Sequence, residues 1–170
     1  VAPTVKFALG ENPKQSNWNN PQPRYPLTRM GVAESIRVEF LAAQDYRKRQ
    51  EEYRRAAAVK GAHPIPPEPD LELEAVAEIL EGKRRIHCHS YRKDEILQML
   101  RTAEEFGVTV ATLQHVLEGY KVADEIAKRG IGASTFSDWW AYKLEVTDAI
   151  PYNPAIMTNA VEKPAWAAVY

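Results

Sequence analysis

RRIHCHSYRKDEI, residues 84–96, is the stretch on which the reading of this chain turns. Its first half is short and apolar enough to be a buried strand. Its second half opens a segment with Ile96, Leu97, Leu100, Ala103 and Phe106 near one helical face and Gly107 closing it. Two histidines flank the chain's single cysteine at the junction. Metal ligation, redox or nucleophilic chemistry, and polar residues satisfied near a core are all open at this point.

The pattern repeats outward from there. LELEAVAEIL, with Asp70 as N-cap and Gly82 just past its end, predicts a helix before the RRIHC strand. VTVATLQ (108–114) predicts a second strand, Tyr120 to Arg129 a helix ended by Gly130, and IGASTF (131–136) a third strand. These strands begin about 24 residues apart with a helix between each pair, the spacing of βαβ crossovers in a parallel sheet. In such sheets the carboxyl ends of the strands carry the functional side chains. His87 and His115 are placed at two successive ends and so become candidate ligands. His89 is expected to leave the strand axis, because SYRKDE reads as loop and helix start. Cys88 is expected to point away from His87 into the sheet–helix layer.

The first 70 residues are different in texture. VKFALG (5–10) reads as another strand and Glu11 to Pro26 as a polar loop. A long helix capped by Thr28 places Ala33, Ile36, Phe40 and Ala43 at helical spacing and runs to about Lys60. HPIPPEP (63–69) is an extended connector. The whole chain, 1–170, is read as a single α/β domain in which 11–70 is an elaborated loop and long-helix insertion.

Composition bounds the function. With 170 residues, 45% of them apolar, the chain can build one core. A net charge of −1, with both signs mixed along the chain, gives no field that would select nucleic acid or a membrane surface. The basic run Arg47 to Arg55 is interrupted by Glu51 and Glu52 and reads as a solvated helix face. One cysteine precludes an internal disulfide. No apolar run approaches the ~20 residues of a membrane span, and VAPTVKFALG has no basic region ahead of an apolar core. The expectation is a soluble chain without a targeting segment, cytoplasmic or periplasmic.

IHCHSYRKDEI, LQHVLEGYKVADEIAKRG and GASTFSDWWAYK together resemble the central part of the amidohydrolase superfamily, in the branch related to imidazolonepropionase and to prolidase-like enzymes. The resemblance implies a partial (β/α)8 TIM barrel, about strands four to seven. It implies a metal-dependent hydrolase acting on an amide or related C–N bond of a small molecule through a metal-activated water. By that resemblance His87 is the fifth-strand ligand and His115 the sixth-strand ligand. Lys6 matches the fourth-strand lysine that many members carry as a carbamate bridging two metals. The implied cofactor is one or two divalent ions, with zinc the leading candidate. Tyr91, Arg92, Trp139, Trp140 and Tyr142 would shape the substrate pocket, with Arg92 pairing a substrate carboxylate. Asp138 is a conceivable substitute ligand, or a loop or helix-cap residue.

Two elements of the family pattern, the first-strand HxH and the eighth-strand aspartate, are not in the sequence, and VEKPAWAAVY (161–170) stands where an apolar strand leading to Asp would be. The barrel would therefore be completed by homo-oligomerisation or by a partner chain. The alternative reading is a non-catalytic barrel fragment that serves as an assembly or scaffold module.

Overall fold

A computed structural model describes residues 3–15, 19, 21–136 and 143–160, together with the backbone of 167–169. Its centre is one sheet of five strands in which sequence order and spatial order coincide and every adjacent pair is parallel. The strands are β1 (Thr4–Ala8), β2 (Arg85–Ser90), β3 (Val110–His115), β4 (Gly132–Thr135) and β5 (Ala167–Val169). The fold is thus α/β with parallel strands and flanking helices, as the spacing predicts.

Between β1 and β2 run α1 (Asn12–Gln15), α2 (Arg29–Ala57) and α3 (Leu71–Leu80). Next come α4 (Lys93–Phe106) and α5 (Ala123–Lys128), and α6 (Asn153–Asn159) lies between β4 and β5. The caps explain where the helices start. Thr28 Oγ1 accepts from Gly31 N at 3.0 Å, and Asp70 Oδ1 accepts from Glu72 N and Leu73 N at 3.0 and 2.9 Å. Gly82, Gly107 and Gly130 follow their helices with left-handed φ of 71°, 64° and 63°.

The core lies between the sheet and the helices. Ile86 and Cys88 of β2 and Leu113 of β3 are fully covered by Ile96, Met99 and Leu100 of α4. On the β1 side Phe40 of α2 is sealed between Phe7 and Phe106, at ring-centroid distances of 5.9 and 5.0 Å. Beyond Tyr46, whose hydroxyl donates to Glu74 at 3.1 Å, α2 becomes a charged surface helix with i,i+4 ion pairs such as Asp45–Arg49.

Several boundaries differ from the sequence expectation. Strand β2 runs two residues further than RRIHC, to Ser90, because its backbone continues to pair with β3 through Ser90 and His115. His89 therefore stays on the strand. The Glu11 to Pro26 loop contains the short helix α1. The helix expected from Tyr120 to Arg129 is broken into a 3₁₀ turn, Gly119–Lys121, and α5. Gly119 is where α6 approaches: a Cβ there would lie 2.4 Å from Met157 Sδ. VEKPAWAAVY, for which no strand is expected, supplies β5.

Phe40 carries the joint between the long helix and the sheet. Phe40→Ala should cost about 3–5 kcal/mol, the range for truncating a buried aromatic, read as a shift of the urea midpoint. A loss below about 1 kcal/mol would mean that α2 does not dock through this ring.

Candidate functional site

At the carboxyl end of the sheet two strands place an imidazole each. His89 is next to last in β2 and is 3% exposed; His115 is the last residue of β3. Their ring centroids are 4.8 Å apart at an interplanar angle of 69°. Strict alternation would turn His115 toward the same side as Leu113, two residues earlier. Instead His115 takes φ 69° and Val116 φ 37°. Such backbone is sparsely populated for residues with a Cβ, and most of all for a β-branched one, at a cost of order 1–3 kcal/mol each.

The strain is held from behind by Asn153 at the start of α6. Its Nδ2 donates to Val116 O at 3.1 Å and Thr135 Oγ1 at 3.2 Å, while its Oδ1 accepts from Tyr120 N at 2.8 Å. The twisted turn aims the His115 ring at His89 and stacks it on Phe136, with centroids 5.0 Å apart at 13°. Tyr91 closes the group, 4.5 Å from His89 and 5.7 Å from His115 by ring centroids.

Both rings are poised neutral. Burial, the neighbouring His115 ring and the ammoniums of Lys6 and Lys143 push His89 down from 6.5 to about 4, against an upward pull from Glu145. Burial and the same two lysines hold His115 below its ordinary value. Asn12 Nδ2 donates to His89 Nε2 at 3.1 Å, which assigns the ring proton to Nδ1.

An ion network borders the pair. Glu145, with a side chain 0% exposed, accepts from Arg29 Nη2 at 2.8 Å and from Glu11 N at 3.2 Å through Oε2, and pairs with Lys143 through Oε1. Arg29 also binds Glu95 and lies 3.6 Å from Glu11. Gly10, at φ 73°, makes room for this contact, since a Cβ there would stand 2.7 Å from Glu145 Oε2. A groove of about 430 Å³ lies behind the network on the helical side, between α2 and α4, lined among others by Arg29, Met30, Glu95 and Met99.

The candidate residues from the sequence fare differently. His115 and Tyr91 are in the group, and Lys6 is close enough to act on both rings. His87 shares its strand face with His89 but pairs in register with Lys6 and Thr112, whereas Ser90 pairs with His115. Three residue steps, roughly 10 Å along the strand, thus separate His87 from the level of His115. Arg92 is engaged with Asp94 through two hydrogen bonds of 3.0 and 3.1 Å. Trp139, Trp140, Tyr142 and Asp138 lie outside the described residues.

Cys88 faces the core with no exposure, and burial raises its thiol to about 12, so it offers no thiolate near neutrality. Asn12, Lys143 and Glu145 were not singled out from the sequence. His89 had one available signal, the i,i+2 spacing of HCH within a strand. Among the described residues, no group of three or more His, Cys, Asp and Glu could hold a metal ion. No described helix is long and apolar enough to cross a membrane.

The chain is similar to an amidohydrolase from Thermotoga maritima MSB8, with a TM-score of 0.82 and 30% sequence identity over 99% of this chain and 41% of that one. It therefore spans about two fifths of that protein's length. No family model matches the chain, and neither does any curated protein. The likeness supports a relationship to amidohydrolases at a coarse level, and with it a hydrolase.

The depressed His89 ring ties stability to pH. Between about 4 and 6.5 the unfolded chain binds a proton at His89 that the folded chain refuses, so stability should fall as the pH drops through that window, by at most ~1.4 kcal/mol per unit. His89→Gln should flatten this part of a pH series of urea melts, and an unchanged slope would show that the ring is charged in the fold. Arg29→Met should cost about 2–3 kcal/mol by leaving the sealed Glu145 with too little positive charge, and thermal denaturation at neutral pH would reveal it. A neutral result would mean that Lys143 alone satisfies the carboxylate.

Proposed function

We propose that the chain carries part of the centre of a metal-dependent hydrolase acting on an amide or related C–N bond of a small molecule, of the imidazolonepropionase-like or prolidase-like kind. The observation that carries this reading is the pair of neutral imidazoles, His89 and His115, converging from the ends of adjacent parallel strands in a chain that resembles an amidohydrolase. Neutral imidazole is the ligand form of histidine.

The donor set fits a divalent ion in kind and falls short in number. A catalytic zinc takes three protein ligands, and the pair supplies two. Lys6 is the third in this proposal. As an ammonium it opposes a cation. Once its neutral amine adds to carbon dioxide, forming the N–C bond and releasing a proton, it is an anionic oxygen donor. Zinc suits such nitrogen and oxygen donors and, when bound, provides Lewis acidity that ionises water near neutral pH. Tyr91 walls the site. His87, one step deeper on the same face, is the competing ligand that the family resemblance favours over His89.

The remaining donors would come from outside the 170 residues. Strands β1 and β5 are outermost in the sheet order, and a second copy or a partner chain could extend it toward a closed barrel. The scaffold reading draws on one observation, the lack of a three-ligand group among the described residues.

Zinc binding separates these possibilities. Dialysed against zinc with bicarbonate, the chain should retain about one ion and lose it to EDTA. His89→Ala and His115→Ala should each weaken retention by about 10–100-fold, while His87→Ala leaves it in place. The reverse pattern would restore His87 as the ligand. Zinc-loaded chain should also hydrolyse members of a dipeptide and N-acyl amino acid panel, with activity lost on chelation. Failure to bind zinc and to turn over any substrate would leave the scaffold reading standing.

A further inference from the structure

Lys143 enters the 3₁₀ turn Leu144–Val146, and its Nζ lies 4.6 Å from the centroid of the Tyr91 ring. Tyr91 in turn packs against both imidazoles, so the ammonium stands at the rim of the aromatic group that encloses them. Two contacts fix it there: the face of Tyr91 and the Glu145 carboxylate. Glu145 is sealed at 0% exposure, whereas the Lys143 side chain is 21% exposed. The anion of this pair is thus closed to solutes and the cation is not.

The charge on Glu145 is also divided. Its Oε2 serves Arg29 and the Glu11 N–H, so Lys143 is only partly neutralised by the carboxylate that positions it. Lys6, exposed on β1, adds positive charge on the same side of the imidazoles. The other cations nearby are committed: Arg92 to Asp94, and Arg29 to Glu11, Glu95 and Glu145. An ammonium has three donors and can hold Glu145 and a second carboxylate together.

We propose that Lys143 is the anion-binding residue of this site and takes the carboxylate of a ligand whose amide reaches the imidazole pair, the class being N-acyl amino acids and dipeptides. The assignment rests on the amide-hydrolase reading for the class of ligand, while the cationic subsite stands on the Lys143, Tyr91 and Glu145 contacts.

Binding without turnover tests it. The metal-free chain is titrated at pH 7.5 with N-acetylglycine and, separately, with the uncharged N-acetylglycinamide, following the imidazole C–H and lysine Cε–H resonances by NMR. N-acetylglycine should shift His89, His115 and the Lys143 Cε–H signal in a saturable way, and the amide should bind at least about tenfold more weakly. Lys143→Met should weaken N-acetylglycine by about tenfold, Lys143→Arg should retain most of the affinity, and Arg92→Met should change nothing. Should Lys143→Met fail to fold, movement of the Lys143 signal in the unaltered chain still decides the point. Equal binding of the two ligands, no saturable shift, or unchanged affinity in Lys143→Met would each overturn the proposal. Carboxylate binding intact in a chain that neither holds zinc nor hydrolyses amides would remove the hydrolase reading and leave this subsite in place.

Discussion

A carboxylate with no solvent exposure must be met by cations or N–H donors from its surroundings, and Glu145 is such a group. The donors that meet it come from three separate stretches: Arg29 in the first turn of α2, the Glu11 amide after β1, and Lys143 two residues before it. Satisfying this one charge therefore fixes how the long helix enters, where the β1 loop runs and how the 143–146 turn lies over the strand ends. Asn12, beside Glu11, then reaches His89, and Lys143 reaches Tyr91. The docking of α2 and the arrangement of the imidazoles share a single electrostatic anchor.

Much of the architecture was legible in the sequence because its causes are local. Thr28 and Asp70 cap their helices, glycines follow three of them, and β-branched or apolar runs at regular spacing form the parallel strands. Cys88 lies in the sheet–helix layer, as alternation along β2 requires. What was not legible depends on pairing across the chain. The end of β2 is set by hydrogen bonding to β3, two residues beyond the point where the polar SYRKDE signal suggests a loop, and that shift makes His89 rather than His87 the partner of His115. Arg92 has the chemistry to hold a carboxylate, yet Asp94, two residues on, already occupies it. Glu145 is one acid among many in the sequence, and only its burial beside Arg29 distinguishes it.

The electrostatics of the imidazole group favour neutral rings at the expense of any bound cation. Lys6 and Lys143 both press His89 and His115 toward the free-base form, which readies their lone pairs, but the same ammoniums repel a metal. Burial is the larger cause of both depressions, so the rings would stay neutral even with one lysine charge removed. A change of charge at Lys6 is the least disruptive resolution, because Lys6 is exposed on β1 while Lys143 is tied to Glu145.

The Asn153 clamp has a consequence for the order in which the molecule is made. The direction of the His115 ring depends on a left-handed turn whose support, from Asn153 to Val116, Tyr120 and Thr135, arrives 37 positions after Val116 itself. A nascent chain that has released β1, β2 and β3 from the ribosome holds both imidazoles and the lysine but not the residue that locks their mutual aim. The site is thus among the last things synthesis completes, although the ligands emerge early.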